Sequence, residues 1–245
     1  MCIRDRVNVA ENLAAVEARI KAACTRVGRD PSEVRLVPVS KNQGMELVAE
    51  AYEAGVRLLA ENRVQEAAEK AKHFADRPDL RWAIIGHLQT NKVRQVAAIA
   101  SEFHALSSIR VAAALQQALD EQGRSLDVFL QVNSSGESQK FGLPPDEVEP
   151  FAIALKAYGA LQVRGLMTLA VLSDDQREIR ACFERMRKLQ RQLRASEDVA
   201  GSYEELSMGM SGDLELAIEY GATTVRVGQA IFGPRPSPDT YWLRT

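Results

Sequence analysis

The chain has 245 residues and a mass of 27.0 kDa, with 46% hydrophobic and 26% charged residues, the balance of a folded globular protein rather than a disordered one. Lys and Arg total 31 against 33 for Asp and Glu, giving a formal charge of -2 and a pI near 6.0, so no global basic field draws nucleic acid or an anionic membrane. No apolar run approaches the ~20 residues needed to cross a bilayer, and Cys2, Cys24 and Cys182 lack the spacing of a zinc site or a disulfide framework.

The opening stretch, Met1 to Arg6, has no apolar segment of a secretory signal and reads like a library-adapter sequence translated in frame. Residues 1–7 are therefore expected to be a non-native or disordered start, and the cytoplasm is the expected compartment. From Val9 to Val27 apolar residues recur at helical spacing (Leu13, Val16, Ile20, Ala23), with Gly28 at the stop. Strand-like runs follow at Val34 to Ser40, Val56 to Ala60, Arg81 to Ile85, Glu102 to Leu106, Leu126 to Val132, Val163 to Met167, Glu204 to Met208 and Thr223 to Val227. Between them the period predicts helices at Met45 to Glu53, Arg63 to Phe74, Lys92 to Ala100, Arg110 to Glu121, Asp146 to Tyr158, Asp174 to Ala195 and Leu214 to Tyr220.

Strict alternation of strands and helices argues for a parallel sheet, and eight such units in a chain of this length predict a (β/α)8 TIM barrel with an additional N-terminal helix. An open doubly wound sheet is the alternative. No linker divides residues 8–233, which form one domain, and residues 234–245 are expected to be a loose tail. Pro38 cannot donate to a sheet ladder, so a bulge or local irregularity is expected there.

Barrel enzymes carry their chemistry at the C-terminal ends of the strands and often hold phosphate after strands 7 and 8. The first strand ends in Ser40-Lys41, where a desolvated amine could condense with an aldehyde, or where the lysine could be a solvated filler or ion-pair partner. After strand 7, Gly209-Met210-Ser211-Gly212-Asp213 leads into a helix; after strand 8, Gly228-Gln229 does the same. Both turns offer backbone N–H groups to an anion, with the Ser211 hydroxyl added, although Ser211 and Asp213 could simply cap a helix. Arg226 either points into the barrel mouth or pairs with Glu205 or Glu215; Asn62 either reaches a ligand or caps the helix after it. His87 lies in a turn after strand 3 as a catalytic candidate or a polar loop residue, while His73 and His104 show no recognisable carboxylate partner.

Taken together, these blocks resemble the pyridoxal phosphate homeostasis proteins, of the YggS/PROSC or alanine racemase N-terminal-like type. The similarity covers Val34 to Gly233 through Val39-Ser40-Lys41, Glu61-Asn62-Arg63-Val64-Gln65-Glu66, Ile85 to Lys92, Gly136 to Gly142, Ser207 to Ser211, Val225 to Gly228 and Ile231-Phe232-Gly233. It implies a fold-type III barrel carrying pyridoxal 5'-phosphate (PLP) as a Schiff base on Lys41. It further implies phosphate contacts from Ser211 and from the amides of Gly228 and Gln229, with Arg226 facing the pyridine nitrogen. A guanidinium cannot accept a proton from that nitrogen, so the ring should be a poor electron sink.

The implied role is a PLP carrier in vitamin B6 homeostasis, without robust catalysis, that meets apo PLP-dependent enzymes transiently and is a monomer. An amino-acid racemase is the alternative, and a Schiff-base aldolase on the same architecture is a third. A racemase needs a second acid/base, commonly a tyrosine, and Tyr52, Tyr158, Tyr203, Tyr220 and Tyr241 all fall away from the predicted strand mouths. The chain departs from the family pattern at several positions, among them Gln43 for a lysine, Ala83 for a histidine and Gln229 for a threonine. Lys140 matches a further family lysine and reads either as a secondary cofactor contact or as a solvated loop residue.

Overall fold

A computed structural model describes residues 7–234; the predicted start at Met1 to Arg6, Cys2, and the tail beyond Pro234, with Tyr241, lie outside the described residues. Eight strands form one parallel sheet: β1 (Arg35–Pro38), β2 (Leu58–Glu61), β3 (Arg81–Ile84), β4 (Ala100–Leu106), β5 (Leu126–Gln131), β6 (Leu161–Met167), β7 (Glu205–Ser207) and β8 (Thr224–Val227). Their order, β1-β8-β7-β6-β5-β4-β3-β2, is closed by a bridge between Val39 and Ala60, giving the (β/α)8 barrel and excluding the open sheet.

The helices are α1 (Val9–Arg26), α2 (Met45–Glu53), α3 (Val64–His73), α4 (Val93–Ile99), α5 (Ile109–Asp120), α6 (Val148–Ala154), α7 (Gln176–Ala195), α8 (Leu214–Glu219) and α9 (Gln229–Phe232). The last has 4 residues, too few to cover β8 from outside. Helix α1 supplies the missing cover: it packs on α8, α9 and α2, buries Val9, Leu13, Val16, Ile20, Ala23 and Cys24, and donates from Asn12 Nδ2 to the Ile231 carbonyl at 2.9 Å. The N-terminal helix thus completes the outer ring. Asn8 caps it, its side-chain oxygen accepting from Glu11 N at 3.1 Å.

At Pro38 the expected bulge is not found. The register with β8 runs unbroken from Arg35 opposite Thr224 to Pro38 opposite Val227. Val39 N donates to Val227 O and Ser40 N to Ala60 O, so the even positions of β1 face β2; the N–H that proline lacks would point there, below the closing bridge, where no ladder needs it.

Side chains alternate across the barrel wall. Val37, Val39, Leu58, Ala60 and Ala83 form a separate apolar cluster inside the barrel on the β1 to β3 side. The opposite side of the interior is polar, with Glu102, His104, Ser207, Thr224 and Arg226 all buried. Leu59 and Ile84, one position out of phase with that inner set, belong to the larger core between sheet and helices.

Candidate functional site at the barrel mouth

By the alternation of β1, Lys41 continues the inward set of Val37 and Val39, while Ser40 faces out toward α3. Lys41 stands in a turn closed by Gln43 N donating to Ser40 O at 3.0 Å, and Asn42 is left-handed there, with φ of 60°. The end of β8 lies directly alongside. Val39 N donates to Val227 O at 2.9 Å, and a Cβ placed on Gly228 would come within 3.0 Å of the Val39 carbonyl oxygen. Glycine at 228 is what lets this turn approach the strand that bears Lys41. The first amides of α9, at Gly228 and Gln229, open the next turn.

The β7 turn joins from the other side. Arg226 N donates to Gly209 O at 2.9 Å, and Arg19 from α1 donates to the Ser211 carbonyl at 2.9 Å while pairing with Glu215 at 2.7 Å. The capping alternative fails for Ser211: the N-cap position of α8 is Asp213, which makes no side-chain cap bond and whose carboxylate instead accepts from Met210 N at 2.6 Å. Asn62 does not cap either. Helix α3 starts after Arg63 with no side-chain cap bond, and the Asn62 carboxamide oxygen is buried with no hydrogen-bond partner among the described residues. Gly86 of the β3 turn presses on this residue, since a Cβ there would meet the Asn62 carbonyl oxygen at 2.1 Å.

Arg226 pairs with neither carboxylate considered from sequence. Glu205 is taken by Arg35 at 3.1 Å and Glu215 by Arg19. Arg226 is 2% exposed and donates from Nη1 to Ser207 Oγ and from Nη2 to Thr168 O, both at 2.7 Å. Burial brings its guanidinium down to about 10, against the opposing charge of Asp213, so it remains a cation at neutral pH. Ser207 Oγ lies 2.9 Å from His104 Nδ1, and His104 Nε2 is 2.8 Å from Glu102 Oε2, which Arg35 holds from below.

Burial would raise the Glu102 carboxyl, but His104 and Arg35 outweigh it and hold it at about 2. Burial also depresses His104. The ionised Glu102 therefore accepts from Nε2–H of a neutral imidazole, leaving Nδ1 to accept from the Ser207 hydroxyl. His104 does have a carboxylate partner, two residues back on its own strand.

The remaining candidates separate from this group. His87 stacks on Phe141 at 4.3 Å, and partial desolvation lowers its basicity. Lys140 pairs with Glu137 and donates to the Ala170 carbonyl at 3.1 Å, tying together the loops after β5 and β6. Gln229 is exposed and Ala83 is buried inside the barrel. A surface groove of about 370 Å³ lined by Asp146, Glu149, Arg185 and Lys188 lies on the flank between α6 and α7 and contains none of the mouth residues.

Sequence reasoning missed a second cluster behind Lys41. Lys70, 2% exposed, reaches Ser40 O, Glu61 Oε1 and Glu66 Oε1 at 2.6–2.7 Å. Its signal was present, because Lys70 falls at the next position of the buried stripe Val64, Ala67 on α3.

The sequence model of the family described as "Alanine racemase, N-terminal domain" matches residues 12–236. The pyridoxal phosphate homeostasis protein of Pseudomonas aeruginosa is 41% identical over 93% of this chain and 96% of its own length; that of Escherichia coli K12 is 38% identical over 93% and 97%. Among solved structures, PipY of Synechococcus elongatus with PLP bound superimposes with a TM-score of 0.80 at 36% identity, covering 92% of this chain and all of its own. An alanine racemase of Clostridium difficile, 16% identical with a TM-score of 0.69, shares the barrel fold over 95% of this chain and 58% of its own. The chain belongs to the pyridoxal phosphate homeostasis protein family, within the broader group that shares the alanine racemase N-terminal barrel.

Proposed function

We propose that this protein binds PLP at the barrel mouth, holds it as a Schiff base on Lys41, and takes part in intracellular vitamin B6 homeostasis without robust catalysis. The observation that carries this reading is the close packing of the Gly228 turn on Val39, which sets the opening turn of α9 beside the strand end that bears the amine. The PLP-bound form of PipY, over nine-tenths of the chain, supports the same ligand.

The residues present fit such a group. Asn62 offers a buried oxygen without a partner among the described residues, Gly228 lets its turn close against the strand that bears Lys41, and Arg226 supplies a fixed cation inside the barrel. PLP, when bound, supplies an aldehyde whose carbonyl carbon takes the Lys41 nitrogen with loss of water. Ser211 Oγ and the Gly228 and Gln229 amides are the proposed phosphate donors. Arg226 is the proposed partner of the pyridine nitrogen: as a donor still charged near neutrality, it leaves that nitrogen unprotonated.

Restraint in catalysis follows from the same residues. An unprotonated ring withdraws electrons poorly, and the described tyrosines do not reach the mouth. Tyr52 bonds to Asp79 at 2.8 Å, and Tyr158, Tyr203 and Tyr220 lie after α6, before β7 and after α8, all at the opposite end of the barrel. Transient contact with apo-enzymes that require PLP, a monomeric state and a cytoplasmic location complete the proposal.

Borohydride reduction followed by peptide mass spectrometry tests the attachment: a pyridoxyl group on Lys41 is expected, and a label on another lysine, or none, overturns the reading. Exchange of the α-hydrogen of alanine for deuterium tests the restraint; turnover at an enzyme's rate would favour the racemase alternative.

A further inference from the structure

The Lys70 cluster sits on the outer side of the barrel wall, where it cannot touch a ligand in the mouth. Lys70 Nζ donates to Ser40 O at 2.7 Å, to Glu61 Oε1 at 2.6 Å and to Glu66 Oε1 at 2.7 Å, so its three protons meet three acceptors. Glu66 Oε1 also accepts from Asn42 N at 2.7 Å, and Ser40 Oγ donates to Glu61 Oε1 at 2.6 Å. The two residues that flank Lys41 are thus tied to a single node. Asn42, with φ of 60°, is held there in a conformation that a side-chain-bearing residue rarely adopts.

A buried ion pair is a costly way to fasten a helix to a sheet, since apolar residues of similar size often do so with equal or greater stability. Glu61 shows the cost. It is 0% exposed, its second carboxylate oxygen has no partner among the described residues, and burial lifts it to about 7 against the pull of Lys70. What the charges give in return is direction. The cluster grips the end of β1 at Ser40 and at Asn42, one on each side of Lys41.

We propose that Lys70 is a positioning residue for Lys41: through Ser40 and Glu66 it fixes the turn from behind, so that the Lys41 amine is presented to an aldehyde in one direction. This rests on the Schiff-base reading above and adds a residue outside the ligand's reach.

The test compares PLP with 4'-deoxypyridoxine 5'-phosphate, which keeps ring and phosphate but has no aldehyde, in spectroscopic titrations of Lys70→Met. Positioning predicts that PLP binds about tenfold to a hundredfold more weakly while the deoxy analogue binds within twofold of wild type. Hydrogen exchange at the Asn42 amide is expected to accelerate. Equal losses for both ligands, or no loss for either, overturn the proposal. Should Lys70→Met fail to fold, Glu66→Gln, a smaller change at a partly exposed residue, is expected to show the same split between ligands at reduced size, and its absence there is equally decisive. Borohydride mapping of the wild type separates the two layers: a label absent from Lys41 overturns the Schiff-base reading together with this one, whereas a label on Lys41 with no split between ligands overturns only the role of Lys70.

Discussion

The acid limb of stability should belong in large part to Glu102. Its carboxyl binds a proton at about 2 in the folded protein and at about 4.5 when unfolded, because His104 and Arg35 prefer it charged although burial does not. A depressed carboxyl contributes stability that is complete above the unfolded value and is lost as pH falls toward the folded one. At about 1.4 kcal/mol per pH unit, the full contribution is about 3 kcal/mol, of which about 2 kcal/mol should be gone by pH 3. Glu102 has 5% side-chain exposure, so salt screens the interaction little. The informative variant is Glu102→Gln, which keeps the size and loses the charge. Urea unfolding from pH 3 to pH 7 should place it about 3 kcal/mol below wild type at neutrality, with the two curves converging in acid. His104, lowered by burial and raised by Glu102, also loses stability below 6.5, and more so in Glu102→Gln, so the two curves approach each other by less than Glu102 alone would give. A difference that stays constant between pH 3 and pH 6 would refute the assignment.

Three further outcomes follow from the mouth. Gly228→Ala drives a Cβ to 3.0 Å from Val39 O and should weaken PLP binding about tenfold in a spectroscopic titration; unchanged affinity removes this turn from the site. Asn62→Ala deletes a group with a buried oxygen that bonds nothing among the described residues, so the ligand-free protein should keep its stability to within about 0.5 kcal/mol in urea while PLP affinity drops severalfold. Ser207→Ala strands Arg226 Nη1 and His104 Nδ1 together, a loss of about 2–3 kcal/mol measurable by chemical denaturation.

The fold was legible because each of the eight strands announced itself by a short apolar run and each long helix by its period. Met45–Glu53 matches the predicted helix at both ends. Helix α9 escaped since 4 residues cannot show a period, and with it went the reason for α1, which reads as an appendage until the gap beside β8 is seen. Of the proposed site, the strand ends were readable, and Lys41, Asn62, Ser211, Arg226, Gly228 and Gln229 all lie at or near the C-terminal ends of β1, β2, β7 and β8. What one sequence could not supply was pairing across the barrel. Glu102 and His104 share a face two apart, but nothing local says that Ser207, a hundred positions later, completes their chain to Arg226. Lys70 was hidden for the opposite reason: among Glu66, Glu69 and Lys72 it reads as helix surface, and only its place after Val64 and Ala67 marks it as buried.

On the proposed reading, the polar interior also bears on why a PLP carrier would keep this set of charges. Each link has one direction: Arg226 donates to Ser207, Ser207 donates to Nδ1 of His104, Nε2 donates to Glu102, and Arg35 donates to Glu102 from the other end. Reversing any bond would require a second proton on a buried imidazole or a proton on a carboxylate held at about 2. The chain therefore pins Arg226 as a donor through Ser207. Under the proposed reading, that rigidity is the device that keeps a bound aldehyde available for transfer while denying its ring the proton that carbanion chemistry needs.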